Sequence, residues 1–282
     1  MKKPKFLIIG GTGKTGRKVV NSLRLLNQEV RVGSRNADIP FNWEKPETFG
    51  PALEGIDKVY ITFQPDLAVP GAFEAVSLLV EIAKEKGVSK LVLMSGKGEI
   101  EAERCEGAVI NSGLDYSIVR ANWFSQNYSE NFLLEPVLQG VVALPMGDMK
   151  VPYVDTGDIA DVVVECLLHE EHNGRIYQLT GSETFTFPQV CELISEATGR
   201  EIKFVAVSLQ EYVEVMKTMD LPEIYVWLIE YLFSHVLTNP ENEEITNDIQ
   251  TILKRPARSF REYVKETAES GVWNQPVLVD TE

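Results

Sequence analysis

The sequence predicts an α/β fold, a doubly wound parallel sheet with a smaller mixed α/β lobe attached. Three observations predict it. A short apolar run, Phe6, Leu7, Ile8 and Ile9, ends in a glycine turn and passes into Val19, Val20, Leu23 and Leu26 at helical spacing. Strand and helix patterns then alternate over the first 120 residues, as in a parallel sheet with helices on both faces. After Arg120 the pattern becomes mixed, as a second, smaller unit requires.

Taken in order, 29–33 reads as the second strand and 58–62 as the third. A helix over 71–86 carries Ala75, Leu78, Leu79, Ile82 and Ala83 on one face. Strand 90–94, helix 100–111 and strand 116–119 follow, and right-handed crossovers join them in one sheet. Beyond Arg120, 122–134 is helix or loop and helix, 140–144 a short strand, and 156–168 a helix introduced by Asp155. A strand at 176–179 returns to the main sheet. Helix 188–198, strand 202–207 and helices 209–219, 223–237 and 260–267 complete the chain. The expected division is 1–121 with 150–180 as the sheet domain, 122–149 with 181–273 as the lobe, and 274–282 as a tail. Helix 223–237, with Tyr225, Trp227, Tyr231 and His235, would line a pocket, cover it, meet a partner or pack in the core.

Composition narrows the function. A formal charge of −15 argues against nucleic acid, whose phosphates need clustered Lys and Arg. Hydrophobic content of 44% and charged content of 24% are those of a soluble globular protein. No apolar run reaches the roughly 18 residues of a membrane helix. Met1-Lys2-Lys3-Pro4 leads directly into the first strand without a secretory segment, so the expected compartment is the cytoplasm. Cys105, Cys166 and Cys191 form no CxxC pair and are expected to be buried free thiols. His169 and His172 have no third His or Cys near them; a solvated helix end is expected there, and no metal site.

The chemistry begins in the turn Gly10-Gly11-Thr12-Gly13-Lys14-Thr15-Gly16. In such a turn one glycine permits the bend, another lets a pyrophosphate approach, and a third lets helix pack on strand. The phosphates then rest on the amides of the helix start. A tight turn without a ligand would use the same glycines. Gly13-Lys14-Thr15 imitates the end of a triphosphate-binding loop, but the first glycine of that pattern would fall at Ile8. A dinucleotide is therefore the expected ligand.

The end of the second strand discriminates between dinucleotides. Arg31-Val32-Gly33-Ser34-Arg35-Asn36 contains no acid to accept from a ribose 2′-OH, whereas Arg35 would hold a 2′-phosphate and Ser34 would add a hydroxyl. The expected cofactor is NADP(H) in preference to NAD(H). Lys14 is either a second phosphate contact or a solvated lysine, and Arg31 faces solvent. Thr62, Phe63 and Gln64 end the third strand beside the adenine ribose and pyrophosphate, though a Phe there also suits a core. Ser95, Gly96 and Lys97 end the fourth strand, where the nicotinamide would lie.

Longer segments carry a resemblance. The GGTGKTG turn, Arg35, the stretch Ser112-Gly113-Leu114-Asp115-Tyr116-Ser117-Ile118-Val119-Arg120-Ala121-Asn122-Trp123-Phe124, and Val154-Asp155-Thr156-Gly157-Asp158-Ile159-Ala160 together resemble the NmrA-like branch of the atypical short-chain dehydrogenase/reductases. So do Thr246-Asn247-Asp248 and Arg255-Pro256-Ala257-Arg258-Ser259-Phe260. The resemblance covers nearly the whole chain. It implies an NAD(P)(H)-binding Rossmann domain with a substrate lobe. Members include quinone and triphenylmethane-dye reductases, reductases of ergot-alkaloid enones or iminium ions, and silent redox-sensing regulators.

The superfamily's usual catalytic pair is a Tyr with a Lys four residues later. None of the nine tyrosines has one: Tyr60 is followed by Gln64, Tyr116 by Arg120 and Tyr153 by Gly157. Two functions fit. One is a reductase passing hydride from NADPH to a quinone, enone, iminium ion or dye, with Asn122, Trp123, Phe124, Tyr128 and Tyr153 in the substrate pocket and Tyr128, Tyr153 or Ser95 as catalytic candidates. The other is a silent NAD(P)(H) sensor that acts on a protein partner.

Overall fold

The computed structural model describes residues 3–130 and 132–274, so the expected tail lies, beyond Asn274, outside the described residues. Two compact units are present. The first comprises Met1–Asn122, Thr156–Thr180 and Thr246–Ala257; the second comprises Trp123–Asp155, Gly181–Ile245 and Arg258–Glu282.

In chain order the elements begin β1 (Lys5–Ile9), α1 (Gly16–Leu25), β2 (Glu29–Gly33), α2 (Phe49–Leu53), β3 (Lys58–Ile61), α3 (Ala72–Glu85), β4 (Lys90–Gly96), α4 (Ile100–Ile110) and β5 (Asp115–Ala121). They continue with α5 (Asn127–Glu130), α6 (Leu134–Gln139), β6 (Val141–Leu144), α7 (Thr156–Leu168), β7 (Arg175–Leu179), α8 (Phe187–Thr198) and β8 (Lys203–Ala206). The last are α9 (Leu209–Thr218), α10 (Glu223–Tyr231), α11 (Asp248–Leu253) and α12 (Phe260–Glu269). Short α2 and α11 carry too few turns for a helical period and were not expected from the pattern.

The first unit is built on a parallel sheet in the order β2-β1-β3-β4-β5-β7. Its central strands are apolar through their middles because helices cover both faces: Phe6, Leu7 and Ile8 of β1 and Leu91, Val92 and Leu93 of β4 have no exposed surface. Each such side chain contributes roughly 1.5–3 kcal/mol by leaving water. The order reverses between β1 and β3, and in open parallel sheets the crevice at that reversal receives the ligand.

Two lysines in the strands are structural. Lys58 Nζ donates to Leu167 O at 2.6 Å and Lys90 Nζ to His169 O at 3.1 Å, so both satisfy carbonyls at the C-terminal end of α7. Beside them, His172 differs from the expected solvated helix end. It is buried, its Nδ1 lies 2.8 Å from Tyr177 Oη, and burial pulls its pKa below the ordinary histidine value. Residues 246–257 belong to this unit, not to the lobe where the sequence placed them. The reason is polar: Gln178 N–H donates to Asp248 Oδ2 at 2.7 Å, and Arg255 pairs with buried Asp158 at 2.7 Å and with Asp161 at 2.6 Å.

In the second unit β6 and β8 pair in parallel. Capping boxes start three of its helices: Thr186 with Gln189 before α8, Ser208 with Glu211 before α9, and Ser259 with Glu262 before α12. Its core includes Tyr128, Phe187, Ile194, Phe233, Phe260 and Trp273. The helix expected over 223–237 is α-helical only to Tyr231 and widens into a π-turn at Leu232–Val236. Val226, Leu228, Ile229 and Phe233 face the core, while Tyr225 and Trp227 remain exposed.

Candidate functional site

The glycine turn follows β1 and is fastened to the end of β2, because Gly10 and Gly11 N–H both donate to Gly33 O, at 2.9 and 3.3 Å. Two glycines are required by geometry. Gly10 has φ of +67°, and a Cβ on it would overlap Thr62 Oγ1. A Cβ on Gly16 would overlap Gly10 O, so the first turn of α1 can press against the end of β1 only without a side chain there.

Helix α1 starts without a side-chain cap. Thr15 occupies the cap position, but its hydroxyl lies 3.0 Å from Tyr60 Oη, which itself donates to Met94 Sδ at 3.2 Å. Burial raises the Tyr60 pKa, so the phenol stays neutral and acts as a strut. A helix start left uncapped at the sheet's reversal, beside glycines that admit close approach, fits a pyrophosphate. Gly13 and the Lys14 that follows it are both half-buried.

The other expected cofactor residues distribute along the same edge. Gly33 ends β2, and half-buried Ser34 and exposed Arg35 follow it directly. Arg31 does not simply face solvent: its guanidinium donates to Ala52 O at 2.7 Å and Glu54 O at 2.9 Å, closing the C-terminal end of α2. Thr62 Oγ1 donates to Ile9 O at 3.1 Å, and Thr62 O accepts from Trp43 Nε1 at 3.0 Å. Phe63 is half-buried with its ring 4.7 Å from Trp43, and Gln64 is exposed. Trp43 was not expected from the sequence, since it lies in a loop with no period to mark it. At the end of β4, Ser95 and Lys97 are buried, and Lys97 N–H donates to Ala121 O at 2.9 Å.

Two acids beside β4 were also missed. Asp66 and Glu99 share a hydrogen bond between their carboxyl groups. Burial raises the pKa of Glu99 well above the ordinary range, and the neighbouring Asp66 raises it further; burial also raises that of Asp66. The residues are 33 positions apart in two loops, and no local signal links them.

Asn122 is buried, with its N–H on Leu179 O at 2.9 Å, and belongs to the first unit. The remaining substrate candidates belong to the second. Trp123 is half-buried in an aromatic group with Phe233 at 5.6 Å and Phe187 at 6.0 Å, and Phe124 bridges to Val154. Tyr128 and Tyr153 are fully buried with their hydroxyls 3.0 Å apart, and burial pushes both phenols far above the ordinary tyrosine range. In that state each is a core residue that holds its proton. Cys105, Cys166 and Cys191 are free and buried, with burial pushing each thiol up to about 12. Among the described residues no group of three His, Cys, Asp or Glu could hold a metal ion, and no helix is long and apolar enough to cross a membrane.

Known proteins share this architecture. Prestalk A differentiation protein A of Dictyostelium discoideum is 30% identical over 94% of this chain and 93% of its own length. The NAD(P)H azoreductase of Xenophilus azovorans is 28% identical over 93% of this chain and 98% of its own. Among solved structures, the triphenylmethane reductase of Citrobacter sp. complexed with NADP(H) superposes with a TM-score of 0.73 at 18% identity, covering 93% of this chain and 99% of that one. NmrA, a negative transcriptional regulator in complex with NAD, gives 0.72 at 17% identity over 96% and 97%. These two likenesses establish the Rossmann-like fold. A profile of the NmrA-like family matches residues 42–264, and the chain belongs to that family.

Proposed function

We propose that the chain binds a nicotinamide dinucleotide, NADP(H) in preference to NAD(H), and passes hydride from NADPH to an electrophilic small molecule such as a quinone, enone, iminium ion or dye. The observation that carries this is the edge of the sheet at its reversal. There the uncapped start of α1, the cramped Gly10 and Gly16, and exposed Arg35 just past the strand that anchors the turn gather in one unit. Glycines and helix amides would take the pyrophosphate, and Arg35 with Ser34 would take a 2′-phosphate. The cofactor supplies the hydride; the protein binds it, orients it and excludes water. The azoreductase relative supports a reductase, and the NADP(H)-bound dye reductase supports the cofactor.

A second reading is a silent sensor of the dinucleotide. The absence of a Tyr with a Lys four residues on, and the burial of Tyr128 and Tyr153 against each other, favour it, and NmrA itself is a regulator. The test is oxidation of NADPH against a panel of quinones, azo compounds, enones and cationic dyes. Turnover with one class supports the reductase. Tight NADPH binding with no turnover in any class supports the sensor.

A further inference from the structure

Glu99 poses a specific question. It is 8% exposed, and its Oε2 has no hydrogen-bond partner among the described residues; Ser95, 6% exposed, has an equally unpartnered Oγ. Leaving a buried polar atom unpaired costs about 1–3 kcal/mol, so such atoms persist where something else completes them. Two turns further along α4, Glu106 shows the alternative. It is 1% exposed, and Arg120 pairs with it through Nε at 2.9 Å and Nη2 at 2.7 Å.

Both unpartnered atoms sit at the C-terminal end of β4, on the ligand edge of the sheet. The carboxyl of Glu99 lies over Gly96, where a Cβ would overlap Oε1, so the strand end is shaped to admit it. Asp66 is held by Ala68 N–H at 2.8 Å and bonds to the Glu99 carboxyl, which leaves Oε2 as the free acceptor of the pair. A hydroxyl that can donate and a carboxyl oxygen that can accept match the two sides of a primary carboxamide.

Resting on the dinucleotide reading above, we propose that Ser95 and Glu99 form the subsite for the nicotinamide carboxamide, with Ser95 Oγ donating to its carbonyl and Glu99 Oε2 accepting from its amide. Asp66 is the positioning residue that holds the Glu99 carboxyl. Glu99 acts as a neutral acceptor, because the proton shared with Asp66 keeps the pair from becoming two adjacent carboxylates.

Binding titrations test this without turnover. NADPH is compared with 2′-phospho-ADP-ribose, and NADH with ADP-ribose; each second compound lacks the nicotinamide. Glu99→Ala and Ser95→Ala should each weaken the intact dinucleotide about tenfold and leave the truncated one unchanged within about twofold. Glu99→Gln, which keeps an uncharged acceptor, should retain most of the affinity. Unchanged dinucleotide binding in both alanine variants overturns the subsite, as does equal weakening of intact and truncated compounds. A loss in Glu99→Gln as large as in Glu99→Ala overturns the neutral acceptor. Failure of the unmodified protein to bind any of the four compounds sinks the dinucleotide reading itself, and this inference with it.

Discussion

Two sets of buried polar groups, one in the core of the lobe and one at the C-terminal end of β4, are treated in opposite ways. In the lobe they find one another: Tyr128 and Tyr153 share a 3.0 Å bond, Tyr263 Oη donates to Ser129 Oγ at 2.8 Å, and Trp273 Nε1 donates to Tyr128 O at 2.8 Å. Arg200 reaches Trp273 O at 2.5 Å and Leu138 O at 2.6 Å. At the sheet edge α1 starts without a side-chain cap, and among the described residues Ser95 Oγ and Glu99 Oε2 have no hydrogen-bond partner. A closed polar network stabilises a core, whereas a buried polar atom left open costs stability unless something else completes it.

The largest expected effect breaks the edge itself. Gly16→Ala puts a Cβ into Gly10 O, so it should cost about 3 kcal/mol in denaturant unfolding and abolish dinucleotide binding, although alanine is the better helix former. In the lobe, Tyr128→Phe or Tyr153→Phe strands one buried hydroxyl and should cost about 1–3 kcal/mol, with dinucleotide affinity unchanged. The double variant should be less destabilised than the sum, because it removes both hydroxyls together. Equal additivity would mean that the two hydroxyls do not depend on each other.

Arg35→Ala should weaken NADPH binding roughly 10- to 100-fold and leave NADH binding unaltered, as loss of a charge-assisted phosphate contact requires. Equal effects on both would remove the preference for NADP(H). The smallest effect concerns pH. The folded pKa of Glu99 is raised above its unfolded value, so the folded state holds a proton that the unfolded state releases. Stability should therefore decline as pH rises from the unfolded value of 4.5, with a slope of up to about 1.4 kcal/mol per pH unit. Glu99→Gln should flatten that decline. An identical pH profile in the variant would show that the carboxyl is already ionised in the folded protein.

Much of this molecule was legible in its residues. The apolar strands β1, β3 and β4 have no polar face because helices cover both sides, and the glycine turn announces a strand-to-helix bend at close quarters. Those signals are local in the chain, and so is Arg35, two residues beyond the second strand. The π-turn after Tyr231 and the helix Asp248–Leu253 were not legible, because a single widened turn shifts the period over too few residues to show and the second is too short to show one.

By itself the sequence determined the alternating sheet, the glycine turn and the lack of a Lys four residues after any Tyr. Tertiary structure alone decided that Thr15 spends its hydroxyl on Tyr60 and that Asp66 meets Glu99. It also decided that Tyr128 and Tyr153 close on each other inside the lobe. The physical reason is range. Backbone bends and burial periods are written in neighbouring residues, whereas the protonation and pairing of a buried group depend on what distant segments place against it.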